Sequence, residues 1–401
     1  LNAVLMADKV PAILNYTASA EAMQTAIEKA EITHILTSKL FLKKLGREPL
    51  PQMVYLEDIA KQIPKSHKLL AALGVIFLPV SELMNIVSPR SGRDIYRTAS
   101  ILFTSGSSGV PKGVMLSHHN ITGDLTAMIR VINYTGNDKM LGSLPLFHSF
   151  GLTCCGWLPM AYNSEVVYVA NPLDSQAICA AIREFKLTIL LATPSFIQAY
   201  MRRGKPEDFE SLRLAVAGAE KLRQDIYDKF QEMTGLTIAE GYGATELSPV
   251  VAINIASSIL DLGTSIGKRD SIGPPLPGVC VKIVNPDTWE PMPEDTDGLL
   301  LVKGANVMKG YLNEPEKTAE VIKDGWYITG DVGHMNADGY ITLTGRLSRF
   351  SKIGGEMVPH ELVEKELMEI IKHDERCIAV TGIPDERKGE KLLIFHTLDN
   401  F

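Results

Sequence analysis

Short apolar runs alternate with helically spaced apolar residues over the first two-thirds of this chain. Val10-Pro-Ala-Ile-Leu14 reads as a strand, and Ser19 then caps a helix running through Ala30. Ile32 to Leu36 reads as the next strand. Residues 46–98 carry a strand near Val54, amphipathic helical patches and a polar bridge, Ser91-Gly-Arg-Asp94. Ala99 to Phe103 is an apolar strand that runs into a glycine- and serine-rich segment. His118 to Val131 reads as a helix leading away from it. Strand signals return at Val166–Val169, Thr188–Leu191, Leu214–Ala217 and from Ile238. This alternation predicts an α/β fold with a parallel sheet.

Past residue 260 the texture becomes all-β. Gly273-Pro-Pro-Leu-Pro-Gly278 and Asn285-Pro-Asp287 separate alternating runs such as Val279–Val284 and Gly298–Val302. A short polar joint, Leu347-Ser348-Arg349, precedes a helix from Pro359 to Ile371 and a strand from Cys377 to Gly382. The predicted organisation is a large N-terminal domain over 1–346, made of mixed sheets flanked by helices, with a β-rich subdomain over about 260–346. A small, incomplete α+β domain follows over 347–401.

Composition narrows the function classes. A 45% hydrophobic, 22% charged chain of 401 residues is ordinary for a globular protein with a large core. A formal net charge of -7 argues against a nucleic-acid partner, which favours a basic face. Five cysteines without framework spacing fit a reducing compartment, and Cys154 and Cys155 read as small buried hydrophobes rather than metal ligands. The longest apolar stretch, Phe150 to Tyr162, is broken by Gly151, Gly156 and Pro159 and falls short of the ~20 residues of a spanning helix. The chain opens at Leu1 in mid-pattern, as expected of a piece of a longer protein.

Six places along the chain carry candidate chemistry. Thr104, Ser105, Gly106, Ser107, Ser108 and Gly109, followed by Lys112, offer backbone N–H groups, hydroxyls and one mobile cation, which suits a polyphosphate. The spacing is not Walker A, and taken alone a Ser/Gly turn explains it as well. Gly218-Ala219-Glu220 and Gly241-Tyr242-Gly243-Ala-Thr245-Glu246 each follow a strand, where ligands of α/β sheets sit. A tight Gly-Tyr-Gly turn would let the Tyr242 ring lie at the surface to stack on a base, and Glu246 could hold magnesium. Asp331 and Arg346 each end a strand, and they suit ribose hydroxyls and phosphate or ribose oxygens. His148, between aromatics, is either a core histidine or the wall of an apolar pocket.

In this order, Thr104–Gly113, Gly241–Glu246, Tyr327–Asp331 and Gly345–Glu356 resemble the adenylate-forming superfamily of acyl-CoA synthetases, luciferases and peptide adenylation domains. Leu144-Pro-Leu-Phe-His-Ser-Phe-Gly-Leu152, Val216-Ala-Gly-Ala-Glu-Lys-Leu222 and Lys352-Ile-Gly-Gly-Glu-Met-Val358 are similar to the synthetase half of the bacterial bifunctional acyl-ACP synthetase/2-acylglycerophosphoethanolamine acyltransferase family. The resemblance implies activation of a fatty acid by ATP and Mg2+ to an acyl-adenylate. Transfer to the phosphopantetheine thiol of acyl carrier protein or coenzyme A would follow. It implies that Thr104, Ser105, Ser107 and Lys112 grip the β/γ-phosphates, and that Ala219 and Glu220 border the adenine on which Tyr242 stacks. Thr245 would meet the α-phosphate, Glu246 the magnesium and Asp331 the ribose, with Arg346 nearby. Phe147 and His148 would line the acyl side, and Gly354 and Gly355 would approach the pantetheine arm. A cytoplasmic location is implied, with attachment to the inner face of a bacterial inner membrane through regions outside these residues. Two departures stand out: the hinge position holds Ser348 where Asp or Lys is common, and no motif for the family's adenylation lysine occurs before Phe401. These 401 residues are therefore expected to bind nucleotide better than they adenylate.

Overall fold

The computed structural model describes residues 1–87, 94–105, 110–255, 267–353, 356–371, 377–385, 387 and 389–398. Its centre is a six-stranded sheet in the order Val250–Asn254, Ile238–Gly243, Leu214–Ala217, Ile189–Ala192, Lys139–Gly142, Glu165–Tyr168. All pairs are parallel except the one joining the first two strands. The strands Ile189–Ala192 and Leu214–Ala217 are buried at every position, as expected where helices cover both faces.

The predicted helix is found at His118–Val131. Ser117 starts it because its hydroxyl accepts from the Asn120 N–H while Asn120 Oδ1 accepts from the Ser117 N–H. Ser19 likewise caps the helix Ala20–Lys29, and Asp174 and Thr193 cap Ser175–Phe185 and Pro194–Arg203. Most of Phe150 to Tyr162 is core, with Met160 and Ala161 exposed: Gly151–Trp157 forms a wide π-type helical turn, and all of its residues but Trp157 are buried. Gly151 is required there, since a Cβ would lie 2.2 Å from the Pro145 carbonyl oxygen.

A second, four-stranded sheet holds Ala12–Ile13, Thr98–Ser105, Pro111–Ser117 and Gly310–Tyr311. Thr98–Ser105 and Pro111–Ser117 form an antiparallel hairpin in which Thr104 faces Lys112. Residues 106–109 join those two strands but lie, with the Ser105 side chain, outside the described residues. The β-rich region is an antiparallel sheet of Val279–Val284, Gly298–Gly304, Trp326–Met335, Ile322–Lys323 and Ile341–Arg346. Beyond it, Phe350–Ile353, Glu356–Pro359, Ile378–Asp385 and Gly389–His396 form a four-stranded sheet packed by the helix His360–Ile371. That helix starts one residue later than predicted, because Pro359 completes a strand.

One local expectation is corrected. Gly241-Tyr242-Gly243 is not a tight turn but the end of a strand, paired through Tyr242 to Ala252 with a bulge at Gly243. Gly243 packs so close to Pro249 that a Cβ would sit 1.9 Å from its carbonyl oxygen. The glycine therefore serves close approach and the bulge rather than reversal of the chain. Among the described residues no helix is long and apolar enough to cross a membrane.

Candidate nucleotide and acyl site

The strand ends of the two main sheets and the β-rich region converge on one cleft. Antiparallel pairing sets Arg346 opposite Asp331, so the pair follows from strand register. Arg346 Nε donates to Asp331 Oδ1 at 2.6 Å, and the Tyr242 hydroxyl donates to Asp331 Oδ2 at 2.5 Å. The Asp331 N–H donates to Thr329 Oγ1 at 2.9 Å, which fixes the backbone beneath the carboxylate. Each Asp331 oxygen keeps a lone pair beyond the one it uses, so the carboxylate retains acceptor capacity for two further donors. Burial, and then the Asp331 charge, push the Tyr242 phenol far above its usual pKa, so it stays a donor. Burial opposes the Arg346 charge, but Asp331 outweighs it and holds the guanidinium even more firmly protonated.

The cationic end is built around Tyr311. Its two-residue strand pairs with Val114 and Met115, carrying it from the β-rich side onto the hairpin that ends in Lys112. Lys112 Nζ lies 5.1 Å from the Tyr311 ring centroid, and the Tyr311 hydroxyl donates to Glu246 Oε1 at 2.9 Å. Burial and the Glu246 charge push the phenols of Tyr311 and Tyr327 up. Thr245 Oγ1 is 3.1 Å from Ser149 Oγ, which links the Glu246 turn to the Leu144–Leu152 segment. Among the described residues there is no group of three metal-ligating side chains. Glu246, a carboxylate held by Tyr311, fits magnesium that arrives with phosphates, since that ion keeps most of its shell as water and phosphate oxygen.

The Gly218 turn closes the third side. A Cβ on Gly218 would lie 3.2 Å from the Phe150 ring and 3.4 Å from the Gly241 carbonyl oxygen, so the two glycine segments are in contact. Ala219 is held at φ +69°, a left-handed conformation that disfavours a side chain. Glu220 turns away from the cleft: its carboxylate accepts from Ser195 Oγ at 2.5 Å and the Ser195 N–H at 3.3 Å. The Glu220 carboxylate is thus engaged by Ser195, not free to face the base that the sequence reading expected it to border. Phe147 is buried edge-on to Tyr16 at 4.8 Å, with His148 tilted against it at 4.7 Å. Partial burial lowers the His148 pKa, and the ring is exposed at its outer side, so it is not a core histidine.

Lys112, Thr245, Glu246, Tyr242, Gly218, Gly241, Asp331 and Arg346 are thus joined by contacts into one wall. Thr104 stands across the hairpin from Lys112. Gly106, Ser107, Ser108, Gly109, Gly354 and Gly355 lie outside the described residues. Sequence reading passed over Tyr311, Ser149 and Thr329. No periodicity marks a two-residue strand such as Gly310–Tyr311, and contacts between distant loops leave no local signal.

The model of one protein family, described as AMP-binding enzyme, matches residues 1–312. The chain belongs to the AMP-binding enzyme family. Feruloyl-CoA synthase of an Amycolatopsis species is 34% identical over 294 residues, 72% of this chain and 57% of that relative. Long-chain-fatty-acid–CoA ligase of Bacillus subtilis is 33% identical over 325 residues, 79% of this chain and 55% of that relative. This AMP-binding chain therefore aligns over little more than half the length of these relatives. Its structure superposes on ATP-bound MatB from Rhodopseudomonas palustris with a TM-score of 0.78 at 25% identity, covering 98% of this chain and 74% of that one. The architecture is that of the adenylate-forming ligases.

Proposed function

We propose that this AMP-binding chain activates a fatty-acid carboxylate with Mg-ATP and passes the acyl group to a phosphopantetheine thiol. The observation that carries this reading is the continuous wall from Lys112 through Tyr311 and Glu246 to Tyr242, Asp331 and Arg346. A polyphosphate would lie at its cationic end and a ribose at its carboxylate end. In the first step a carboxylate oxygen bonds to the α-phosphorus, the bridging P–O bond breaks, and pyrophosphate leaves with its electron pair. In the second, the thiol sulfur bonds to the acyl carbon, AMP departs and the thiol proton is lost.

The chain's own groups would answer the charge problem of bringing an anion to a polyanion. Thr104, Ser105, Gly106, Ser107, Ser108, Gly109 and Lys112 would hold the β- and γ-phosphates, and Thr245 the α-phosphate. Glu246 would hold the magnesium ion, which supplies charge neutralisation on the phosphates. Gly218, Ala219, Glu220, Gly241 and Gly243 would shape the adenine slot by backbone, Tyr242 would flank the base, and Asp331 would accept from the ribose. Arg346 would keep Asp331 ionised and oriented. Phe147 and His148 would line the acyl channel. We take 1–346 and 347–401 as separate domains that rotate between the two steps.

Acyl carrier protein is the acceptor suggested by the Leu144–Leu152 and Val216–Leu222 motifs, with lysophospholipid reacylation as the setting and membrane attachment through regions outside these residues. Coenzyme A is the second reading, supported by relatives named as CoA ligases. Fatty-acid-dependent ATP–pyrophosphate exchange tests the first step. Thioester formation with each acceptor then separates the two readings. Tight ATP binding with no exchange, even when the chain is extended through the family's adenylation lysine, would assign a nucleotide-binding module instead.

A further inference from the structure

Helices Lys65–Phe77 and Val80–Val87 form a hairpin that buries none of its residues. The first helix is exposed at Leu69, Leu70, Leu73, Val75, Ile76 and Phe77, the last at 74%. At 100° per residue these positions spread over most of its circumference. Only the side at Gly74 is covered, where Leu83 of the second helix packs. The second helix is two-faced: Ser81, Glu82 and Asn85 share one side, and Val80, Met84 and Val87 the other. Val80, beside the turn, is 75% exposed. A helix that is apolar nearly all round belongs in an apolar phase. A protein groove takes a single stripe of such a helix, at i, i+3, i+4 and i+7.

We propose that this hairpin embeds tip-first in an anionic lipid bilayer. Charge supports that occupant. Lys61, Lys65 and Lys68 stand at the base of the hairpin, and no acidic residue occurs from 59 to 81. Dimensions support it too. Lys68 and Phe77 are nine positions apart, about 13 Å along a helix. With lysines at the headgroups, the Val75–Val80 tip reaches the acyl region of one leaflet, roughly half of the ~30 Å hydrocarbon core. The 13-residue first helix, about 20 Å long, is too short to span. The second helix, packed on the first through Leu83, would run back from the tip toward the headgroups. A fatty-acid-activating enzyme so placed would meet its substrate in the phase where it dissolves.

The test is co-sedimentation of the 401-residue protein with phosphatidylcholine vesicles and with vesicles enriched in phosphatidylglycerol. The expected result is binding to the anionic vesicles, weakened at least ~10-fold by the double substitution Ile76→Asp, Phe77→Asp and also by Lys65→Gln, Lys68→Gln. Leu173→Asp, at an apolar position elsewhere that is 71% exposed, should leave binding unchanged. Phe77→Trp should show a blue-shifted emission with vesicles. Unchanged melting temperatures and ATP binding in the variants would exclude misfolding. The proposal fails if the unaltered protein stays in the supernatant or if the double aspartate variant binds equally. It also fails if sedimentation equilibrium without lipid shows self-association that the same variant abolishes, which would assign the patch to a second copy. Vesicle binding is read without fatty acid or thiol acceptor, so its failure leaves the ligase reading standing.

Discussion

Asp331 joins Tyr242 to Arg346, so its loss should be felt at both. Asp331→Ala removes two charge-assisted hydrogen bonds and the expected ribose acceptor. Calorimetry should show ATP affinity reduced by about tenfold or more, since such bonds are worth ~1.5–3 kcal/mol. Tyr242→Phe keeps the ring and loses only the hydroxyl, and should weaken binding less than Asp331→Ala does. Asp124 is a different case. It is fully buried, Oδ1 has no partner, and burial raises its pKa well above the usual value. Between the unfolded carboxyl pKa near 4 and the raised folded one, the native state binds the extra proton, so stability falls as pH rises. Asp124→Asn lacks that titration. Urea melts at pH values rising from about 4 should show the unaltered protein losing stability relative to the variant, by at most about 1.4 kcal/mol per pH unit. Equal slopes would show that Asp124 does not titrate in this window. Sequence reading identified Asp331 and Arg346 from strand-end positions. It did not identify Asp124, because a carboxylate on a helix reads as exposed until tertiary packing covers it.

Among the elements, those with strong local signals match the sequence most closely. His118–Val131 has a capping box at one end and apolar spacing throughout, and its predicted and observed bounds coincide. Val279–Val284 and Leu214–Ala217 are also as predicted, since glycine and proline clusters or a uniform apolar run delimit them. The first strand shrinks to Ala12–Ile13, because pairing with Ile101 and Leu102 engages only that much of the apolar run. Within residues 46–98, where the spacing predicts amphipathic helical patches, the first helix of the hairpin over 65–87 exposes apolar side chains nearly all round. The wide turn at Gly151–Trp157 has no sequence signature, and it rests on Gly151 lying against Pro145. Gly151→Ala should therefore destabilise the protein by about 1–3 kcal/mol, as overpacking does. It should also shift the preceding Phe147–His148 segment. A melting temperature within error of the parent would show that the turn tolerates a side chain.

At the scale of the whole molecule, three sheets must keep their places for the cleft to exist. Asn120 Nδ2 donates to the Ala305 and Val307 carbonyl oxygens at 2.7 Å each, tying the helix after the hairpin to the β-rich region. Lys29 Nζ bridges the Pro111 carbonyl oxygen at 3.1 Å and Glu314 at 2.5 Å, close to Lys112 and Tyr311. A ligand that touches all three sheets should stabilise them together. Mg-ATP at 100 times its Kd should add about 2.7 kcal/mol. A non-hydrolysable acyl-adenylate mimic, reaching the acyl side as well, should raise the melting temperature further at equal concentration. If the mimic stabilised no more than AMP, the acyl channel would not be continuous with the nucleotide cleft.

The sequence by itself determined the family and the α/β-to-β progression and marked the candidate site residues, because glycine spacing, caps and strand ends are written in neighbouring positions. Tertiary structure alone decided that Tyr311 stands between Lys112 and Glu246, that Glu220 turns to Ser195, and that Tyr242 ends a strand with its hydroxyl on Asp331. It alone left the hairpin over 65–87 uncovered. The division has one physical cause: local pattern records what each residue does to its own backbone, whereas these contacts join residues tens to hundreds of positions apart, and their register is set by how the sheets pack.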